Sequence, residues 1–191
     1  MVVLNAVMLP DKSRIDIKPA PILRCEMAES FAAWVRDETA PRMASFGSAL
    51  RAIENYDSYE CRGRNRVSNA KLSEHAKGNA IDVRAFHLAD GRRIELTDMT
   101  VDRPLREALR DSACHRFTTV LGPGADAYHD GHIHFDIDER RQGYRICQWD
   151  VREPPPPAAA VASVQARPEN VPLPIPRPAN AGAAVKHPRK L

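Results

Sequence analysis

In the stretch CEMAESFAAWVRDE, Met27, Phe31, Trp34 and Val35 recur at a 3.6-residue period, which predicts a helix over 25–38 with one apolar face. Pro41 suits the first turn of a second helix, expected to run to about residue 53. Short apolar runs predict strands over 56–62 and 79–84, separated by a polar loop, and Gly91-Arg92-Arg93 reads as a turn into a brief strand over 94–96. Asp102 followed by Pro104 is a helix start, and Leu105, Leu109 and Ala113 form the inward face of a helix reaching about residue 115. A buried strand over 117–121 stops at Gly122-Pro123-Gly124, and two more strands are expected over 131–138 and 144–149. Pro10, Pro19 and Pro21 block a helix in the opening residues, so 1–24 is expected to be an extended or irregular segment. Helices beside a small antiparallel sheet make the fold class α+β, with the helices packed on one side.

Composition changes this picture at residue 151. Ten of the sixteen prolines lie in residues 151–191, mixed with Ala and Val. Such a segment buries too little apolar surface to offset its ordering entropy. The organisation expected is therefore an N-terminal segment 1–24, a folded domain 25–150 and a disordered tail 151–191. The tail carries six Lys/Arg and two Glu, which leaves 22 basic and 23 acidic groups on residues 1–150. A nearly neutral body does not supply the basic face that nucleic-acid binding needs. The basic tail is expected to be solubilising, although it could also rest on an anionic wall polymer or a membrane surface. No apolar run approaches the ~20 residues of a membrane span, and a monomer is expected.

MVVLNAVMLPDKSR has neither the basic region nor the long apolar region of a signal peptide, which taken alone points to the cytoplasm. Cys25, Cys61, Cys114 and Cys147 point the other way: an even number of spread cysteines with no C-x-x-C pair suits two disulfides in an oxidising compartment, as well as it suits four buried thiols. Three pairings are possible, and Cys25 with Cys61 and Cys114 with Cys147 is preferred.

The candidate chemistry lies in two clusters. In HDGHIH, residues 129–134, His132 and His134 are two apart and so share one face of a strand, and Asp136 and Asp138 follow at the same parity. In LSEHAKGNAID, His75 precedes Asp82 by seven residues, with Gly78 able to form a tight turn between them. His75, Asp82 and His134 would then offer nitrogen, oxygen and nitrogen to a Zn2+ ion, leaving a fourth position for water, which is the catalytic rather than the structural arrangement.

Taken together, Ser73, His75, Gly78, Ala80 and Asp82, with His132 and His134 far downstream, resemble the zinc peptidases grouped with lysostaphin, D-Ala-D-Ala peptidases and sonic hedgehog. More closely, CRGRN, LSEHAKGNAIDV, FTTVLGPGAD and HDGHIHFDID resemble the bacterial extensin-like C-terminal domain family, over roughly residues 20–150. The resemblance implies an exported, periplasmic or secreted protein, a hedgehog-like or D-Ala-D-Ala-peptidase-like fold, and His75, Asp82 and His134 as zinc ligands. It implies that His132 sits beside the metal without binding it. An arginine often precedes the first motif in that group; Arg62 is the nearest match, with Arg64 and Arg66 as rivals. The D-Ala-D-Ala dipeptidases use a glutamate base shortly before the last ligand, which HDGHIH lacks. His132 is left with that task, helped by His129 or Asp130.

The function expected is a zinc-dependent hydrolase of peptidoglycan peptide crosslinks. Zinc lowers the pKa of bound water to about 7. His132 would shuttle a proton or hold the oxyanion, and Arg62 would receive a substrate carboxylate. Asp136 and Glu74 are candidates to orient the imidazoles, though Glu74 reads more simply as a solvated charge. Alternatives are a wall-binding module with a structural zinc, and a wall amidase. His87 and His115 are read as surface or core-edge residues, Trp34 and Trp149 as core, and Ser73 as a turn residue. GPGAD lacks the lysine and the following helix of a phosphate loop.

Overall fold

A nine-residue strand, Ala80–Leu88, lies at the centre of the sheet and has all but two of its side chains buried. The computed structural model describes residues 1–154 except Ser68. In chain order the strands are β1 Val2–Val3, β2 Ala6–Met8, β3 Arg14–Lys18, β4 Ile22–Leu23, β5 Leu50–Asp57, β6 Ala80–Leu88, β7 Arg93–Glu95, β8 Thr119–Leu121, β9 Ile133–Asp136 and β10 Ile146–Gln148. The helices are α1 Cys25–Trp34, α2 Ala40–Ser45 and α3 Arg103–Arg116. The main sheet runs β10-β8-β9-β6-β5-β3-β2, with β7 paired to β6, and β1 and β4 form a separate antiparallel pair. The class is α+β as expected, but the main sheet is mixed: β10 pairs with β8, and β3 with β5, in parallel.

One sheet face is built around Trp34. Its ring lies 5.0 Å from Phe135, 5.9 Å from Phe31 and Phe117, and 6.3 Å from Phe86, centroid to centroid. Its indole N–H donates to the Ser112 hydroxyl of α3 at 3.0 Å, so α1 and α3 cover the same face. Truncating such a fully buried aromatic costs about 3–5 kcal/mol. Trp149 is also buried. Asp102 caps α3 by accepting from the Leu105 N–H at 3.0 Å.

Three expectations are corrected. The helix expected to reach residue 53 ends at α2; Gly47 turns the chain at φ +107° and β5 follows. Leu50 and Ile53 are spaced like a helical face, yet both are buried on a strand because a register shift between Leu50 and Ala52 restores their common side. The expected strand over 56–62 stops at Asp57. The opening segment is not a separate extension: β2 and β3 complete the main sheet, and RIDIK buries Ile15 and Ile17 on one face. The compact unit runs over Met1–Pro154. Most of the tail expected over 151–191 lies outside the described residues. Among the described residues, no helix is long and apolar enough to cross a membrane.

Candidate metal centre

The opposite face of β6 and β9 carries the polar cluster. Asp82 and His134 are direct cross-strand partners, while Ile81 and Ile133, one residue away, point into the core. On a regular strand Asp82 and Phe86 would share a face. The register shift between Glu54 and Asn55 places an extra residue, Arg84, in β6, so the strand presents carboxylate to one side and phenyl ring to the other. His75 reaches the same spot from the single-turn helix His75–Lys77, which ends at Gly78 with φ +70°. A side chain there would be strained by that φ and would crowd the Arg24 backbone N at 3.1 Å. Ser73 is the turn residue expected, accepting from the His75 N–H at 3.3 Å.

Three buried ligand atoms converge. Asp82 Oδ1 lies 2.9 Å from His134 Nδ1 and 3.3 Å from His75 Nε2, and the two ring nitrogens are 3.1 Å apart. Tetrahedral ligands at about 2.0–2.2 Å from a zinc ion lie roughly 3.3 Å from one another. Each imidazole has its outer nitrogen held as a donor: His75 Nδ1 donates to the Ser58 carbonyl at 2.5 Å, and His134 Nε2 donates to Asp136 at 3.0 Å. Both inner nitrogens therefore aim lone pairs at a carboxylate and at each other, which a cation or an additional proton must relieve. Burial alone would push the Asp82 carboxyl up, but the imidazoles of His132, His134 and His75 around it hold it well below the usual range. Burial likewise opposes charge on His134, but Asp136 and Asp82 raise its pKa to about 9. The donor set, two imidazoles and one carboxylate, fits Zn2+.

The same residues open onto a cavity of about 400 Å³. His132 lies on its wall, with Nε2 3.3 Å from Asp82 Oδ2, the oxygen turned away from the ligand triangle. His129, also on the wall, has Nδ1 held by Asp126 at 2.6 Å, and burial lowers its pKa despite that carboxylate. Asp130 is exposed and does not line the cavity. Arg62 does line it, but its Nη2 and Nε already bind Asp57 at 3.1 Å and Glu60 at 2.7 Å. Arg66 pairs with the same two acids, and Arg64 reaches Asp138 at 3.5 Å.

Glu74 corrects another expectation. It is 3% exposed, and accepts from Lys77 Nζ at 2.6 Å and Asn79 Nδ2 at 3.0 Å, so it locks the turn that presents His75. Asp136 is the carboxylate that orients a ligand imidazole. The Ser58 carbonyl, which orients the other, left no sequence signal, because a backbone oxygen has no residue type. Tyr56 and Arg140 also line the cavity and were missed; only their position in the fold reveals them. His87 is half-exposed and His115 exposed, as expected.

Cys114 and Cys147 form a disulfide with Cα atoms 5.6 Å apart. It ties α3 to β10 itself. The preferred second pair does not form: Cys25 and Cys61 are free and exposed.

Against known proteins, no curated protein and no solved structure matches the chain. One family model does, that of the extensin-like protein C-terminus, over residues 2–148, which takes in both histidine clusters and the disulfide. The chain belongs to the extensin-like protein C-terminus family.

Proposed function

We propose that this chain is a zinc-dependent hydrolase that cuts peptide crosslinks of peptidoglycan, as a D,D- or L,D-endopeptidase or carboxypeptidase, outside the cytoplasm. One observation carries the reading: three buried ligand atoms meet at 2.9–3.3 Å, two of them on imidazoles whose other nitrogens are already committed, beside a cavity. His75, Asp82 and His134 would hold the ion. Zinc bound there supplies a water of lowered pKa and polarises a carbonyl.

The chain's own residues do the rest. Asp82 Oδ2 holds the Nε2 proton of His132, which leaves Nδ1 of His132 to exchange protons with the substrate. Asp126 fixes the His129 ring in the same way at Nδ1, and a lowered pKa keeps that ring neutral at pH 7, able to accept a proton at Nε2. Asp136 holds His134 and the Ser58 carbonyl holds His75, so neither ring turns when substrate enters. The Cys114–Cys147 disulfide supports an oxidising compartment.

The test is metal analysis of the purified protein together with mass spectrometry of sacculus digests. Bound zinc and split crosslinked dimers are expected, both lost in His134→Ala. Full activity in that variant would overturn the assignment. Release of whole stem peptides would identify an amidase, and sacculus binding without soluble products a wall-binding module.

A further inference from the structure

We propose that Tyr56 is a positioning residue for His132 and is held in turn by Arg84; the inference rests on the hydrolase reading above. The Tyr56 and His132 rings stack with centroids 4.7 Å apart and planes 25° from parallel. The Arg84 guanidinium carbon lies over the Tyr56 ring, 4.4 Å from its centroid.

Tyr56 and the Arg84 that holds it both come from irregularities in the sheet. Between the pairs Glu54↔Ala85 and Asn55↔Val83, β6 has one residue too many, which is Arg84. Between Asn55↔Val83 and Asp57↔Asp82, β5 has one too many, which is Tyr56. Bulged residues are released from the ladder and re-aimed, and here the two released side chains meet. The Tyr56 bulge adjoins the pair Asp57↔Asp82 and the Arg84 bulge lies one pair further along, so both fall close to the ligand triangle.

His132 needs such support. It precedes β9 rather than belonging to it, so its backbone is not held by that strand's pairing. Among the described residues its polar side-chain contact is to Asp82 at 3.3 Å, which restrains one nitrogen but leaves the ring plane free to swing. A flat aromatic surface removes that freedom, and a guanidinium over the tyrosine restrains the tyrosine. The fold gains little from the arrangement. Tyr56 is 50% exposed, and Arg84 is only half-buried between Val83 and Ala85, both fully buried.

The experiment compares wild type, Tyr56→Leu, Tyr56→Phe and Arg84→Met as full-length, zinc-loaded proteins. The His132 ring protons, assigned by their loss in His132→Gln, are followed by NMR. In wild type they are shifted upfield by the stacked ring, in Tyr56→Leu they move back, and Tyr56→Phe restores the shift. On crosslinked muropeptide dimers, Tyr56→Leu lowers kcat about 10- to 100-fold with KM and zinc content unchanged. Arg84→Met gives a smaller loss of the same kind, and in a His132→Ala background Tyr56→Leu has no further effect. Wild-type turnover in Tyr56→Leu, or a loss that persists undiminished in the His132→Ala background, would overturn the positioning role. A zinc-loaded wild type that turns over no muropeptide would instead sink the hydrolase reading, a result separable from the first because it precedes any comparison among variants.

Discussion

His75 Nε2 and His134 Nδ1 face each other at 3.1 Å, and the outer nitrogen of each ring is already spent as a donor to Ser58 or Asp136. In the metal-free protein the conflict is relieved by a second proton on His134, which is why its pKa rises to about 9 between two carboxylates. Zinc must displace that proton. Below pH 9, binding is therefore expected to release close to one proton from His134, and affinity should rise up to tenfold per pH unit until about pH 9. Calorimetric titration in buffers of different ionisation enthalpy measures this. Binding with no proton release at pH 7 would mean that the ion sits elsewhere.

Asp136 separates holding a ligand from being one. Asp136→Asn keeps a side chain of the same shape but weakens the acceptor for His134 Nε2–H. Loss of such a partner typically lowers metal affinity 10- to 100-fold, whereas His134→Ala should abolish measurable binding. Competition with a chromophoric chelator distinguishes the two. Equal losses in both variants would show that Asp136 acts by preserving the fold.

Much of this site was legible in the sequence, because its ligands obey short-range rules. Parity places His132 and His134 together, and a glycine that tolerates φ +70° lets His75 turn back toward Asp82. Of the preferred pairing, Cys114–Cys147 forms and Cys25–Cys61 does not, because cysteine spacing alone does not choose among the three possibilities. What escaped was whatever depends on register. A helix and a bulged strand both bring Leu50 and Ile53 to one side, so periodicity could not place β5. Tyr56 and Arg84 owe their meeting to the same bulges, and the arginine carried no motif. By motif alone Arg62 is open to substrate, but Asp57 at the end of β5 and Glu60 in the loop after it occupy its guanidinium, and no pattern predicts the path of that loop.

The metal-free protein should lose stability at both ends of the pH scale for different reasons. The His134 pKa is raised when folded, so its contribution is complete below the unfolded value of about 6.5 and is lost as pH rises through about 9. A shift of that size is worth on the order of 3 kcal/mol. The Asp82 pKa is lowered when folded, so its contribution is present above the ordinary carboxylate value and is lost as pH falls below it. Urea unfolding of chelator-treated protein should show a plateau between these limits and a decline above pH 7 that His134→Gln removes. An unchanged slope in that variant would place the linkage in another group.

The cysteines give the last prediction. Cys114 and Cys147 close a loop with a sequence separation of 33, and opening it should cost about 3–4 kcal/mol by relaxing the unfolded chain. Cys114→Ser with Cys147→Ser removes the crosslink without leaving a stray thiol, and its urea midpoint should fall while zinc content holds, since neither cysteine lies at the ligand triangle. Thiol titration of the wild type in denaturant should count two groups, Cys25 and Cys61. Finding none would mean that those two exposed sulfurs also pair, and that the loop carrying Arg62 is fastened to the start of α1. Finding four would mean that the protein lives in a reducing compartment, and the proposal of a cell-wall substrate would fail with the disulfide.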